Sequence, residues 1–381
     1  MLEIGNSELC NGCHACYSVC PVSAIEMVAD NEGFLRPYID INRCINCYKC
    51  EKSCPVLIKN TTVDNYDILT YACYNHDDKI RKESSSGGIF TLIAEYVIKN
   101  DGIVFGAKFD NNFNVIHGSI ETLKGLEEFR GSKYVQSSIG DTFKECKRHL
   151  ELKILVLFSG TPCQIAGLKH YLNNEYQNLI CIDFICHGVP SPLLWKKYLD
   201  YQKNKYKSNI EIISFRNKQY GWKNFSMYIQ FSKKYYLKKL KSDPYLQLFL
   251  HDVCLRPSCY NCSFKDIHRI SDITIADFWG IHNIMPDIDD DKGISCVIIH
   301  SKKGEELFNK VVKNKFKVNI NDIKKYNPAI IKSAQKPFNR DAFFNDLKYN
   351  NFKVIKRKYY YSYIYNTYKE KALKIFRIFW R

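Results

Sequence analysis

The stretch KILVLFSGTPCQIAGLKHYL, residues 153–172, combines an apolar run with a small turn and a helical pattern. The run ILVLF has the length and composition of a buried strand, and the turn SGTPC follows it directly. The residues beyond the turn predict a helix from Gln164. A strand, turn and helix in this order are typical of a parallel α/β sheet, in which ligands bind at the carboxyl ends of strands. Cys163, in the turn, is therefore a candidate ligand-binding residue.

The same layout recurs downstream in LICIDFICHGVPSPLLWKKYL, residues 179–199. An apolar strand leads into a turn that contains Cys186 and His187. Pro192 follows near the start of the next predicted helix, where proline is well tolerated. Cys186 thus occupies a strand end equivalent to that of Cys163.

A third cysteine group, CLRPSCYNC, follows at residues 254–262. Its C-x4-C-x2-C spacing is not a self-sufficient set of ligands for a [4Fe-4S] cubane. Further ligands must come from elsewhere in the chain, and Cys163 and Cys186 are available at the two strand ends. The alternatives are a zinc site or a few packed thiols.

Two runs near the N-terminus, CNGCHACYSVCP (10–21) and CINCYKCEKSCP (44–55), share the spacing C-x2-C-x2-C-x3-C-P. This spacing is the bacterial ferredoxin signature, in which the fourth cysteine of each run ligates the other cluster. The first cluster is therefore assigned to Cys10, Cys13, Cys16 and Cys54, and the second to Cys20, Cys44, Cys47 and Cys50. Zinc fits poorly, because structural zinc sites use separated Cys-x2-Cys pairs. His14 is predicted to face solvent, since the cysteines already fill the ligand positions.

Composition narrows the class of protein. The chain has 381 residues, of which 17 are cysteines. The sequence shows neither a secretory signal nor an apolar run long enough to span a bilayer, so a cytoplasmic protein is expected. Thiols stay reduced in the cytosol, and cluster ligation therefore explains the cysteines better than disulfides do.

The basic charge is concentrated at the C-terminus. Residues 353–381 carry nine Lys or Arg against one Glu, which supplies +8 of the net charge of +16 and argues against a nucleic-acid-binding core. Leu373, Phe376 and Trp380 fall on one apolar stripe of a predicted helix, which suits peripheral contact with an anionic membrane at its inner face. The competing interpretation is a C-terminal helix that packs on its own protein.

Two glycine-containing segments predict an anion or flavin site. Residues 84–88, SSSGG, precede an amphipathic helix, and the free N–H groups at a helix N-terminus favour a phosphate. An ordinary helix cap explains the same pattern. The loop RGSKY at 130–134 places two cations and an aromatic ring around a glycine, which suits a phosphate or the edge of a flavin. A solvated loop is the alternative there.

Seven segments together resemble the coenzyme F420 hydrogenase/dehydrogenase beta-subunit family. They are SSSGGIF, GAKF, FRGSKYVQS, SGTPCQIAGL, ICHGVPSP, RPSCYNCSFK and SDITIADFWG, in this order. With the N-terminal module, the resemblance covers about residues 1–300. It implies FAD as a cofactor beside a cluster. Bacterial members with such an N-terminal module are similar to proteins associated with polysaccharide biosynthesis.

The resemblance also implies roles for individual residues. The ligands of a third [4Fe-4S] cluster would be Cys163, Cys186, Cys259 and Cys262, and Cys254 receives no role. The flavin-contacting residues would be Ser86, Gly87, Gly88, Gly131, Ser132, Lys133 and Tyr134. Lys133 and His187 are the candidates for proton transfer to a substrate.

The motifs predict four regions along the chain. They are a ferredoxin-type domain at 1–60, a flavin-associated region at 61–150, an iron–sulfur and flavin region at 151–345, and the basic tail at 346–381. The expected fold class is an α+β ferredoxin-like bicluster domain followed by an α/β flavin and iron–sulfur domain.

The predicted function is that of an iron–sulfur flavoprotein oxidoreductase. Electrons would pass between the ferredoxin-type clusters and FAD to an organic substrate, because a flavin links single-electron and two-electron chemistry. The expected substrate is a coenzyme F420-like molecule or a polysaccharide-pathway intermediate. The alternative is an electron-transfer subunit that docks on a partner enzyme and has no substrate site. The expected partners are ferredoxin or another redox protein, the small-molecule substrate and a second copy of the chain.

Overall fold

A computed structural model describes residues 8–58 and 66–365 of the chain. The strands are β1 (Ile25–Ala29), β2 (Leu35–Ile39), β3 (Leu69–Cys73), β4 (Ile103–Phe109), β5 (Val115–Ile120), β6 (Val156–Ser159), β7 (Leu179–Phe184), β8 (Ile210–Asn217), β9 (Ser226–Phe231), β10 (Tyr235–Lys239), β11 (Ile273–Asp277), β12 (Ser295–Ile299) and β13 (Lys315–Lys317). The α-helices are α1 (Ala15–Val19), α2 (Lys49–Lys52), α3 (Asp78–Glu83), α4 (Ile89–Lys99), α5 (Leu126–Phe129), α6 (Thr142–Glu151), α7 (Pro162–Leu172), α8 (Pro192–Tyr206), α9 (Pro244–Leu250), α10 (Lys302–Val311), α11 (Ile320–Tyr326), α12 (Arg340–Tyr349) and α13 (Phe352–Ile355).

The N-terminal unit, residues 8–58, repeats one backbone shape in its two cysteine runs. Gly12 and His14 in the first run have φ values of 64° and 66°, and Asn46 and Tyr48 at the matching positions of the second have 53° and 55°. Residues in the left-handed backbone conformation at matching positions give both loops the same turn. The β1–β2 hairpin lies between the two runs. The repeat seen in the sequence is therefore also a structural repeat.

The large unit is built on one eight-stranded mixed sheet with the strand order β13-β3-β12-β11-β7-β6-β4-β5. Its centre is parallel, because β4 pairs with β6, β6 with β7, and β7 with β11 in the same direction. The apolar runs ILVLF and LICIDF supply β6 and β7, whose register places Ser159 opposite Ile182. The two regions divided at residue 150 share this sheet, since β3 to β5 come from the first of them.

Helix α7 begins two residues earlier than predicted, at Pro162 rather than Gln164. Thr161 and Gln164 form a capping box, in which the side chain of Gln164 accepts a hydrogen bond from the N–H of Thr161 at 2.9 Å. Pro162 takes the first helical position, where its missing N–H costs nothing. Cys163 therefore stands in the first turn of α7, directly after β6.

A second, antiparallel sheet has the order β10-β9-β8. An aromatic core lies beside it, in which the Trp195 ring is 4.8 Å from that of Phe215 and 5.0 Å from that of Tyr245. Phe34, at the turn of the N-terminal hairpin, is fully buried in the same core and lies 6.1 Å from Phe344. The N-terminal unit is thus anchored in the large one.

The start of the predicted tail packs on the protein itself. Phe352 and Ile355 are buried in the aromatic core, and Tyr359 is buried beside them. The predicted apolar stripe of Leu373, Phe376 and Trp380 lies outside the described residues. Within the parts of the chain that the structure describes, no helix is long and apolar enough to cross a membrane.

Candidate cofactor sites

A cavity of about 740 Å³ opens at the carboxyl ends of the parallel strands. Strand β4 contributes Ala107 to its wall, β6 contributes Ser159, β7 contributes Phe184, and β11 contributes Asp277. Open α/β sheets bind their ligands at this edge. The volume falls within the range of roughly 300–1,000 Å³ that is typical of ligand pockets.

Four cysteines from three separate segments line this cavity: Cys163, Cys186, Cys259 and Cys262. They come from the first turn of α7, the turn after β7, and the short 3₁₀ helix Pro257–Asn261 with the residue that follows it. Burial raises the pKa of Cys186 to about 11 and that of Cys259 to about 12. The charge of Cys262 contributes to both shifts. The fold thus brings together the residues that the family resemblance implied.

The spacing of these thiols differs from that of a single-ion site. In residues 8–58 and 66–365, no three His, Cys, Asp or Glu side chains are grouped closely enough to hold one metal ion. A zinc ion needs its ligand atoms within about 2.0–2.3 Å. A cubane instead takes its cysteine ligands on separate irons, which sets them farther apart.

Cys254 stands apart from this group. It is fully buried in the aromatic core and does not line the cavity. Its carbonyl oxygen accepts a hydrogen bond from the N–H of Ser191 at 3.0 Å. The CLRPSCYNC stretch is thus divided between one packed thiol and two thiols in the cavity.

The cavity wall is strongly basic. In the described part of the chain, seven Lys or Arg residues line it, namely Arg130, Lys133, Arg216, Lys223, Arg256, Lys265 and Arg269, against the single carboxylate of Asp277. The ammonium of Lys265 donates to the carbonyl oxygens of Cys186 and Ala329. Its charge, together with that of Arg269, opposes the rise in the pKa of Cys186. Such a lining suits an anionic ligand, whether a thiolate-ligated cluster or a pyrophosphate.

The start of α4 forms a second wall of the cavity. Gly88 is the N-cap of this helix, with φ of 81°, and has no side chain to cap it. Gly88, Ile89, Phe90 and Thr91 all line the cavity. Because the first N–H groups of a helix have no partner within the helix, this terminus offers donors to an anion.

Gly87 has a different position from the other predicted flavin residues. A Cβ on Gly87 would lie 2.6 Å from the carbonyl oxygen of Cys73 and 2.7 Å from the backbone nitrogen of Ser295. The missing side chain thus lets the turn pack against β3 and β12. The predicted flavin residues that do line the cavity are Ser86, Gly88, Gly131, Ser132, Lys133 and Tyr134.

The loop that contains Lys133 is held against the glycine turn. The N–H of Ser132 donates to the hydroxyl oxygen of Ser85 at 2.6 Å. The ammonium of Lys133 donates to the carbonyl oxygens of Glu128 at 2.8 Å and Gly131 at 3.2 Å. Burial lowers the pKa of Lys133 to about 7, which suits proton exchange near neutral pH.

His187 lines the cavity beside Cys186. Its Nε2 pairs with a carboxylate oxygen of Asp252, and its ring meets the Phe249 ring edge-on at 5.2 Å. A carboxylate partner fixes the orientation and the tautomer of an imidazole. The two residues predicted for proton transfer, Lys133 and His187, therefore share one cavity.

The cavity wall also contains a buried ion pair that no sequence motif indicates. Arg216 makes two hydrogen bonds of 2.8 Å to Asp277, which also accepts one of 2.6 Å from the indole N–H of Trp222. Arg216 donates to the hydroxyl of Tyr134 at 3.0 Å. Asp277 lies 61 positions from Arg216, and no local spacing indicates such a contact.

The predicted ligands of the first ferredoxin-type cluster surround one pocket, lined by Cys10, Cys13, Cys16 and the crossing ligand Cys54. This pocket lies next to α7. A Cβ on Gly167 would be 2.9 Å from the Cβ of Cys13, and the charge of Cys13 contributes to the raised pKa of Cys163. Cys163 and Gly167 are one helical turn apart, so α7 connects the first cluster loop to the large cavity.

The second predicted ligand set, Cys20, Cys44, Cys47 and Cys50, lies nearer the surface. Cys47 is exposed, and so are its neighbours Ile45 and Tyr48. Burial, with a smaller contribution from the charge of Cys47, raises the pKa of Cys50. The two ferredoxin-type sites therefore differ in their access to solvent.

The prediction that His14 faces solvent is wrong, because its side chain is 2% exposed. Helix α1 packs against α6 and α7 of the large unit. On the same helix, the hydroxyl of Tyr17 donates to Asp141 at 3.1 Å. Burial, followed by the charge of Arg256, lowers the pKa of His14 to about 3 and keeps the ring neutral.

Comparison with known proteins agrees with the two-part organisation. Residues 154–325 match the family described as the C terminus of the coenzyme F420 hydrogenase/dehydrogenase beta subunit, and residues 9–58 match the 4Fe-4S dicluster domain. The resemblance recognised in the sequence is confirmed over these residues. A chain from the F420-reducing [NiFe] hydrogenase complex of Methanosarcina barkeri is similar in structure, with a TM-score of 0.47 and 16% identity, over 71% of this chain and 96% of that one. No curated protein matches.

Proposed function

We propose that this chain, which joins a 4Fe-4S dicluster domain to the C-terminal region of a coenzyme F420 hydrogenase/dehydrogenase beta subunit, is an oxidoreductase with a third [4Fe-4S] cluster and FAD in its large cavity. One observation carries the proposal. Four cysteines, a helix N-terminus and a basic lining share a single cavity beside the first cluster loop. FAD, when bound, supplies the exchange between single-electron and two-electron chemistry.

The chain offers separate residues for the two groups. Cys163, Cys186, Cys259 and Cys262 would hold the cluster. Gly88 and the N–H groups at the start of α4 would bind the pyrophosphate of FAD, since anions are stabilised at helix N-termini. Arg130 and Lys133 would add positive charge beside it.

Other lining residues, together with Lys133, would bind the substrate and move a proton. Lys133 and His187 would hold protons at their side-chain nitrogens. Phe184 is 40% exposed, and Leu250 is 46% exposed, although both line the cavity, so apolar surface is available at its mouth. Such surface favours a flat ring system. We therefore favour a coenzyme F420-like substrate over a polysaccharide-pathway intermediate.

A second function, that of an electron-transfer subunit, is favoured by the surface around the second cluster. Ile45 and Tyr48, which lie on either side of the exposed Cys47 in the sequence, are each more than half exposed. An exposed apolar patch of this kind is typical of a protein-binding surface. Turnover of an organic substrate by the purified chain with an artificial electron donor would favour the enzyme. Activity that appears only after a redox partner is added would favour the electron-transfer role.

The variant Ser132→Asp tests the flavin site. Ser132 lines the cavity and is bonded to the glycine turn through Ser85, so a carboxylate there would face the pyrophosphate. FAD affinity is expected to fall roughly 100-fold, since like charges brought together cost several kcal/mol and 1.4 kcal/mol is a factor of ten. Flavin titration of desalted protein measures the affinity. Iron content should not change.

The matched control is Ser232→Asp, on the exposed turn between β9 and β10. This variant adds the same charge outside the cavity and should bind FAD as the wild type does. Equal affinity in both variants would contradict the assigned site. Wild-type protein that retains no FAD after reconstitution and desalting would contradict the flavin itself.

A further inference from the structure

Arg256 is buried between the N-terminal unit and the large cavity, on the loop that supplies Cys259 and Cys262. Its relative exposure is 0%. Its Nε donates to the carbonyl oxygen of Cys10 at 2.7 Å, and its Nη2 approaches the Cys10 sulfur at 3.6 Å. Its other hydrogen bonds go to the carbonyl oxygen of Leu35 at 3.0 Å and the side-chain oxygen of Gln136 at 2.9 Å.

We propose that Arg256 raises the reduction potential of the first cluster, held by Cys10, Cys13, Cys16 and Cys54, relative to that of the second. Each one-electron reduction adds negative charge to a cluster. A guanidinium that donates to the sulfur of a ligand stabilises that added charge, and the potentials of such clusters depend on charge and on hydrogen bonds to their sulfurs. The inference depends on the dicluster domain, and not on the flavin or the third cluster of the proposed function.

The backbone of the first loop is shaped to admit this guanidinium. A Cβ on Gly12 would lie 2.7 Å from Nη1 of Arg256, and φ of Gly12 is +64°. Asn46 stands at the matching position of the second loop, where its side-chain oxygen lies 3.8 Å from the sulfur of Cys44. The first loop therefore receives a cationic donor, whereas the second carries a neutral amide at that place.

The positive charge offsets an environment that otherwise disfavours reduction. Cys10 is only 8% exposed, whereas Cys47 is exposed to solvent. Burial in a medium of low dielectric constant penalises added charge, so the inner cluster without Arg256 would be the harder to reduce. With Arg256 present, reduction is favoured at the cluster that lies beside Cys163 and the large cavity.

The test is an anaerobic redox titration of the full iron-loaded chain, followed by electron paramagnetic resonance. Arg256→Gln is expected to lower the potential of the first cluster alone, by on the order of tenfold in the reduction equilibrium, or about 59 mV for one electron. Arg256→Lys retains the charge and should shift that potential less. Cys47→Ser changes a ligand of the second cluster, so the reduction potential that changes in this variant is identified as that of the second cluster. The matched control, Arg36→Gln, removes an arginine paired with Asp30 at 2.7 Å and should leave both reduction potentials unchanged.

Several outcomes would overturn the inference. One is that neither reduction potential changes in Arg256→Gln. Another is that both potentials change by the same amount. A third is that the Gln and Lys variants shift the first-cluster potential equally. Loss of the first cluster's iron from both Arg256 variants would show that Arg256 only stabilises the packing of the N-terminal unit on the large unit. If only the Gln variant loses iron, a lowered first-cluster potential in Arg256→Lys supports the inference and an unchanged one overturns it.

Discussion

Anaerobically prepared Cys259→Ala protein is expected to lose one whole cluster and to contain about eight irons per chain instead of about twelve, at four irons per cubane. Cys259 lines the large cavity with three other cysteines, and the charges of Cys186 and Cys262 contribute to the raised pKa of its thiol. Removal of one thiolate leaves a cubane iron without its protein ligand. Iron and acid-labile sulfide assays measure the loss directly.

The control for this variant is Cys254→Ala, on the same loop. The Cys254 thiol is buried in the aromatic core and away from the cavity, so its removal should cost stability and leave the iron content at the wild-type value. The ligand set would be wrong if Cys254→Ala lost four irons while Cys163→Ala kept them.

Arg216→Met is expected to lower the free energy of unfolding by about 3–5 kcal/mol, the usual cost of removing one partner from a buried ion pair. The Arg216 side chain is 2% exposed and that of Asp277 is 16% exposed, so the variant would leave a carboxylate buried without its charged partner. Urea unfolding of the iron-loaded protein, followed by circular dichroism, measures the change.

The double variant Arg216→Met/Asp277→Leu separates charge from packing. Replacing both members of a buried ion pair by apolar residues is often neutral, so the double variant should recover most of the lost stability. Trp222 loses its acceptor in that variant, which leaves a smaller residual cost. A double variant less stable than Arg216→Met would contradict this explanation.

Cysteine spacing and strand periodicity made much of the fold and of the candidate sites predictable. Each ferredoxin-type run is local, so its ligands can be read from a few neighbouring residues. Cys163 and Cys186 follow apolar strands, and the carboxyl ends of adjacent parallel strands meet at one edge of the sheet. The cavity position of both residues follows from that rule.

Features that depend on contacts across the chain were not predictable from local patterns. The sequence of the first run does not show that α1 packs on the large unit, and His14 is buried for that reason. The pairing of Arg216 with Asp277 likewise depends on the approach of β8 to β11. Gly87 and Gly88 look equivalent in sequence, but only the three-dimensional packing shows that Gly88 faces the cavity.

In the proposed function, one cavity beside the ferredoxin-type domain holds both a third cluster and a flavin. The most direct test of this proposal is the quantitation of iron, sulfide and released flavin in wild-type protein purified anaerobically. The protein is expected to contain about twelve irons and about twelve sulfides per chain, at four of each per cubane, together with about one FAD. About eight irons per chain and no flavin, even after reconstitution, would contradict it.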